Sequence, residues 1–204
     1  MGRAYSDITF TQGVRAMQTR MGSRENYAAF DRATDRRDRL TGREASFIGA
    51  RDHFYQATVS ETGWPYVQHR GGPPGFLKVL DDKTIGYADF RGNVQYISVG
   101  NLTADNRVSL LLMDHAAQKR LKLLGRARLV EAADDSALVE TLRPPGYRAV
   151  IERAIIISIE GYDWNCPQHI TPRFTEAEIA AAVAPLHARI AALEAELKER
   201  GDTR

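Results

Sequence analysis

At 204 residues the chain suits one domain with a terminal extension better than two full domains, and 43% hydrophobic content is enough for a real core. Its 28 basic and 26 acidic residues nearly cancel, and the formal charge of +2 argues against a dedicated nucleic-acid binder. A lone cysteine, Cys166, excludes an intramolecular disulfide and a multi-cysteine zinc site. No apolar run approaches the roughly 18–20 residues of a membrane span, and the start lacks a secretory apolar region, so a cytoplasmic setting is expected.

Residues 1–44 are polar and charge-rich. Phe10, Val14, Met17 and Met21 recur at helical steps and predict a short amphipathic helix, followed by the charged stretch "DRATDRRDRLTGRE", read as a solvated linker or surface helix. Thr41 and Glu44 have capping-box spacing, so a helix is expected to begin near 42.

From residue 53 the texture changes. "HFYQATVS" and "PYVQHR" flank "ETGW" and read as a hairpin turning at Glu61–Gly63; "GGPPG" must be a loop. "FLKVLDD" and "TIGYADF" predict a second strand pair. "RVSLLLMD" reads as a buried central strand, and "RLKLLGRARLVEA" as a long strand with Gly125 at a bend or bulge. "DDSALVETL" is a short helix ended by "RPPG", and "AVIERAIIISIEGYDWN" is the last long strand. Six or seven strands with short links and no alternating strand–helix rhythm predict a mainly β fold, an antiparallel barrel with peripheral helices.

The expected organisation is an N-terminal extension over 1–44, a barrel domain over 45–172 and a C-terminal helix over 173–204. In the last, Ile179, Val183, Leu186, Ile190, Leu193 and Leu197 form a heptad seam, expected to pack on its own or a partner subunit rather than form a free-standing coiled coil.

No nucleophile elbow, phosphate-loop or paired metal-ligand motif is present, and Cys166 with His169 is not read as a nucleophile pair. What remains is polar groups at strand ends: Arg70, Lys78, Arg91, Gly92, Asn93, Gln95, Tyr96, Arg120 and Lys122. They are either scattered surface charges or a site for an anionic ligand with a heteroaromatic head. Guanidinium and ammonium groups neutralise a phosphate, amides read a ring edge, and a helix beginning after Gly92 would add its free N–H groups.

The segment order tips this balance. "GWPYVQHRGGPPGFLKVLDDKTIGYADFRGNVQYISVGNLTADNRVSLLLMD" with "RLKLLGRARLV", and more loosely "NCPQHITPR", resembles the pyridoxamine 5'-phosphate oxidase-like flavoproteins over about residues 45–170. The resemblance implies an FMN-binding split β-barrel, a homodimer with flavin at the subunit interface, and a small-molecule substrate. It places Arg70 and Lys78 at basic positions around the flavin and its phosphate. Ala88, Asp89 and Phe90 fall on the strand beside the ring, and Arg91, Gly92, Asn93, Gln95 and Tyr96 on the phosphate and ribityl turn. Arg120 and Lys122 match a contributing strand and Trp164 an aromatic residue near the ring. Arg120 or Lys122 would be the cation favouring the anionic reduced flavin. The family's true oxidases end in an Arg–His substrate motif; here "FTEAEIAAAVAPLHARIAALEAELKERGDTR" follows, so vitamin B6 oxidation is not expected. The implied activity is FMN-dependent oxidoreduction. The alternatives are the same fold with a deazaflavin or haem, or a non-catalytic flavin-binding sensor.

Overall fold

The computed structural model describes residues 2–164 and 166–202. Met1, the Asn165 of "NCPQHITPR", and the last two residues of the expected C-terminal segment therefore lie outside the described residues. The chain divides into two compact units, one comprising residues up to 114 with 119–167, the other 115–118 with the residues from 168 onward.

The first unit is built on a seven-stranded antiparallel sheet: β1 (His53–Val59), β2 (Pro65–Gly71), β3 (Lys78–Val79), β4 (Thr84–Phe90), β5 (Arg107–Asp114), β6 (Lys119–Glu131) and β7 (Ile151–Trp164), in the order β2-β1-β5-β6-β7-β4-β3. No backbone ladder joins β2 to β3, so the sheet is split rather than closed. It nevertheless curls. Phe54 of β1 packs its ring against Phe76 at 5.6 Å and against Tyr87 of β4 at 5.2 Å.

Alternation builds the interior. In β5, Val108, Leu110 and Leu112 are buried while their neighbours are not, so this strand is central in the sheet but covered on one face only. Leu121 and Leu123 of β6 and Ile155, Ile157 and Ile159 of β7 join the same core. Each such aliphatic side chain contributes about 1.5–3 kcal/mol when fully buried. The β6–β7 register shifts between Leu124 and Gly125, where the expected bulge lies. A Cβ on Gly125 would sit 2.5 Å from the Ser158 carbonyl oxygen, so only glycine lets β7 approach.

The helices lie around the sheet. At the N-terminus, α1 (Ala4–Thr9), α2 (Gln12–Arg20) and α3 (Arg24–Asp31) replace the single expected helix. Val14, Met17 and Met21 stay exposed, and Phe10 instead joins Tyr27 and Phe30 in an aromatic cluster. The charged stretch after it is irregular and tied down by ion pairs such as Arg36–Asp7 and Lys83–Asp38. α4 (Gly42–Gly49) begins with the expected capping box of Thr41 and Glu44. α5 (Ile97–Ala104) sits between β4 and β5 in the chain, and α6 (Ser136–Leu142) packs Val139 and Leu142 with Ala88, Val130 and Ile156 on the sheet's other face.

In the second unit, Gln118 Nε2 donates to the Ile170 carbonyl at 2.7 Å. α7 (Glu176–Asp202) is capped by Thr175, whose hydroxyl accepts from Glu178 N–H at 3.2 Å while Glu178 accepts the Thr175 N–H at 2.7 Å.

Candidate functional site: a polar cleft where the sheet splits

Period-two geometry puts Tyr66, Gln68 and Arg70 on one face of β2, and the β1–β2 register sets Gln56 beside Gln68 and Phe54 beside Arg70. On β4 the matching inward residues are Ile85, Tyr87 and Asp89. The Tyr87 hydroxyl donates to Gln56 Oε1 at 2.7 Å, and burial pushes its phenol well above the ordinary value. The Arg70 guanidinium lies over the Tyr87 ring at 5.7 Å and donates to Asp89 at 2.6 Å.

Between Phe90 and α5 the chain makes an uncommon turn. Val94 and Tyr96 both adopt left-handed backbone, at φ 55° and 53°, which costs a β-branched residue most. Asn93 Oδ1 accepts the Gln95 N–H at 3.3 Å and shapes the turn from within. The helix therefore begins at Ile97, later than a start directly after Gly92. Its N-cap Tyr96 supplies no side-chain bond to the first turn. The N–H groups there are left facing outward from the helix end.

Two adjoining hollows result, sharing Gln68, Arg70, Phe90 and Gly92 as walls. One, of about 50 Å³, runs along the start of α5, past Ile97, Ser98 and Val99, to Glu152. The other, of about 210 Å³, runs toward His69, Phe76, Tyr87 and Tyr147. Ser98 donates its hydroxyl to Gln68 at 2.7 Å and anchors the helix to β2. Arg70 Nε is buried and has no partner among the described residues, as has Gln56 Nε2.

A chain of charges runs back from this cleft. Asp89, 4% exposed, accepts from Arg70 on one oxygen and from Arg153 of β7 on the other, at 2.8 Å. Arg153 also reaches Glu131 at 3.0 Å and Glu152 at 3.4 Å. Glu152 in turn holds the turn before α5, accepting from Tyr96 Oη at 2.8 Å and Arg91 Nε at 3.1 Å. The Tyr96 hydroxyl first, then the charges of Arg153 and Arg91, lower the Glu152 carboxyl below its usual range. Around Arg153, the Glu131 and Asp89 partners outweigh burial and raise its pKa.

Of the residues singled out from the sequence, Arg70, Ala88, Asp89, Phe90, Arg91, Gly92, Asn93, Gln95 and Tyr96 all line this cleft. Lys78 does not. Its register opposite Gly86 points it to the α6 side of the sheet, where its ammonium donates to the Thr141 carbonyl at 2.7 Å. Lys122 lies on the outward face of β6, paired with Asp163 at 3.2 Å and beneath the Tyr5 ring; Arg120 shares that face, opposite Met113. Trp164 donates its indole N–H to Glu44 at 2.7 Å and packs edge-on against Phe47, under Arg43. These three stand near the far end of β7, about 35 Å along the strand from Arg153. Cys166 is exposed.

Sequence reasoning missed Tyr66, Gln68, Glu152 and Arg153. Gln68 was within reach, because a strand that turns Arg70 inward turns Gln68 inward too. Glu152 and Arg153 form a charged pair at the head of an otherwise apolar strand, a local anomaly that marks them. Among the described residues, no helix is long and apolar enough to cross a membrane, and no cluster of three or more His, Cys, Asp or Glu could hold a metal.

A split antiparallel barrel with a polar cleft beside its unclosed seam defines a recognisable class of small β proteins. The family model for pyridoxamine 5'-phosphate oxidase matches residues 40–156, more than half of the chain, and the protein belongs to that family. HupZ of Group A Streptococcus superposes with a TM-score of 0.51 at 18% identity, over 66% of this chain and 99% of its own. A protein of Clostridium acetobutylicum related to general stress protein 26 gives a TM-score of 0.45 at 17% identity, over 67% of this chain and 94% of its own. At such identities the likeness concerns the fold alone. No curated protein matches the chain.

Proposed function

We propose that the cleft binds FMN and that the protein is a flavin-dependent oxidoreductase acting on a small molecule, working as a homodimer. The observation that carries this reading is the partnerless Arg70 Nε, buried where the two hollows meet and beside a helix start without a side-chain cap. An anionic, ring-bearing ligand fits both: a phosphate suits the N–H groups of α5 and the Arg70 fork, and the amides of Asn93 and Gln95 can pair with ribityl hydroxyls or the ring edge. When bound, the flavin supplies the redox chemistry by taking or giving a hydride at N5. The protein holds and orients it. Phe90 and Tyr147, with ring centroids 5.1 Å apart, form an aromatic wall of one hollow, and Glu152 keeps the turn before α5 in place.

Placement supports the homodimer if Arg120, Lys122 and Trp164 also meet the flavin. Arg120, Lys122 and Trp164 stand at the opposite end of β7 from the cleft. One flavin can meet both groups only if a second copy supplies one of them. Absence of the Arg–His substrate motif from the C-terminal segment keeps vitamin B6 oxidation out of the proposal.

The test is a visible spectrum of the purified protein, release and mass identification of the chromophore, and FMN titration of the apoprotein. The expected result is a flavin spectrum and stoichiometric FMN. Arg70→Ala should weaken binding by roughly 10- to 150-fold, the loss of a charged hydrogen bond. Protein that stays colourless after FMN addition overturns the reading. A deazaflavin or haem spectrum would keep the fold and replace the ligand.

A further inference from the structure

α7 carries an exposed apolar seam. Ile179, Leu186, Ile190, Leu193 and Leu197 are between 40% and 68% exposed, along a helix of 27 residues. The steps between them assign Val183, Ile190 and Leu197 to the a positions of a heptad and Ile179, Leu186 and Leu193 to the d positions. We propose that α7 pairs with α7 of a second copy as a parallel, in-register, two-stranded coiled coil.

Two features select this partner and this geometry. In the seam's centre, β-branched Val183 and Ile190 occupy a while Leu186 and Leu193 occupy d, the distribution that favours two parallel strands over three or four. The flanking charges then choose the direction. Arg189 lies at g and Glu194 at the following e, so in a parallel pair each Arg189 faces Glu194 of the partner subunit. In an antiparallel pair with the same six seam residues matched a to d, each Arg189 would instead face Arg189 of the partner subunit. Among the described residues Arg189 has only a loose contact with Glu196, at 4.0 Å.

The helix interior agrees with this assignment. Pro185 falls at an outer c position, and the carbonyl it deprives of a partner belongs to Ala181 at an outer f position, where water can serve it. The bend that a proline imposes is convex on its own side, so the helix curves toward the seam, as a supercoil requires. Fewer than three full heptads make a modest interface, so the pairing is a clamp between copies of the whole protein, independent of which cofactor the cleft holds.

The test uses the full chain with Cys166→Ser as background and a single cysteine placed on α7. Leu186→Cys should give mostly disulfide-linked dimer under mild oxidation, because identical d positions face one another. Ala188→Cys, on the outer face, should give little. Adding Arg189→Glu to the Leu186→Cys chain should lower the cross-linked fraction several-fold, and adding Glu194→Arg as well should restore it. Circular dichroism confirms that each variant keeps its helix content. Absence of cross-linking by a folded Leu186→Cys chain overturns the proposal. So does equal cross-linking by Ala188→Cys, or cross-linking seen only when Leu186→Cys and Ile190→Cys chains are mixed, which reports an antiparallel pair.

Discussion

Arg70 and Asp89 meet at 2.6 Å across a gap that no backbone ladder bridges. One sits on β2 at the sheet's edge, the other on β4 near the opposite edge. Their ion pair, with Tyr87 and Gln56 beside it, ties the curled sheet through side chains. Asp89→Ala leaves two guanidinium groups, each 12% exposed, without their shared anion. The expected loss is about 3–5 kcal/mol in urea unfolding, the cost of a broken buried pair. Asp89→Asn keeps the shape but not the charge and should fall between the two.

Glu152 gives the turn before α5 a dependence on pH. Its carboxyl titrates lower in the folded protein than in the unfolded chain. The stability it lends is therefore fully present above the ordinary glutamate value of about 4.3 and is lost as pH falls through the lower folded value. Hydrogen exchange across residues 91–98 should quicken over that acid range in the wild type. Glu152→Gln should show the faster exchange already at neutral pH; exchange that ignores both changes would separate Glu152 from the turn.

Val94 offers a substitution in the stabilising direction. A β-branched side chain at φ 55° is strained, and Val94→Asn, which tolerates left-handed backbone, should raise stability by about 0.5–1 kcal/mol. Thermal unfolding checks this. Val94 is largely exposed, so no packing loss offsets the gain.

Gly125→Ala runs the other way. Its methyl group would have to displace the Ser158 carbonyl of β7, and backbone yields poorly. The bulge should open at a cost of about 1–3 kcal/mol. An unchanged urea midpoint would mean that the strands at the bulge are looser than their register implies.

The parts of the fold written in local chemistry were the legible ones. The Thr41–Glu44 cap, the hairpin through Glu61–Gly63 and the bulge at Gly125 depend on residues close in sequence or on glycine's lack of a side chain. The cleft was half legible, since the stretch from Ala88 to Tyr96 is one continuous wall of it. Strand register decided the rest, and register is not local. Lys78 was expected by the flavin, yet pairing with Gly86 turns it to the α6 face, where it caps a helix end instead. Arg153 reaches Asp89, and Glu152 reaches Arg91 and Tyr96, only because β7 runs antiparallel beside β4. Nothing within a few residues of either pair shows that neighbourhood.

The cleft's charges also decide how a ligand arrives. Three guanidinium groups, on Arg70, Arg91 and Arg153, are matched by three carboxylates, on Asp89, Glu131 and Glu152. An approaching anion therefore meets almost no long-range field. Its capture rate should vary little with ionic strength. Discrimination comes after contact, when a ligand of the right outline trades its water for the walls around Arg70 and the start of α5. The site chooses by fit at short range, and it admits its candidates without regard to their charge.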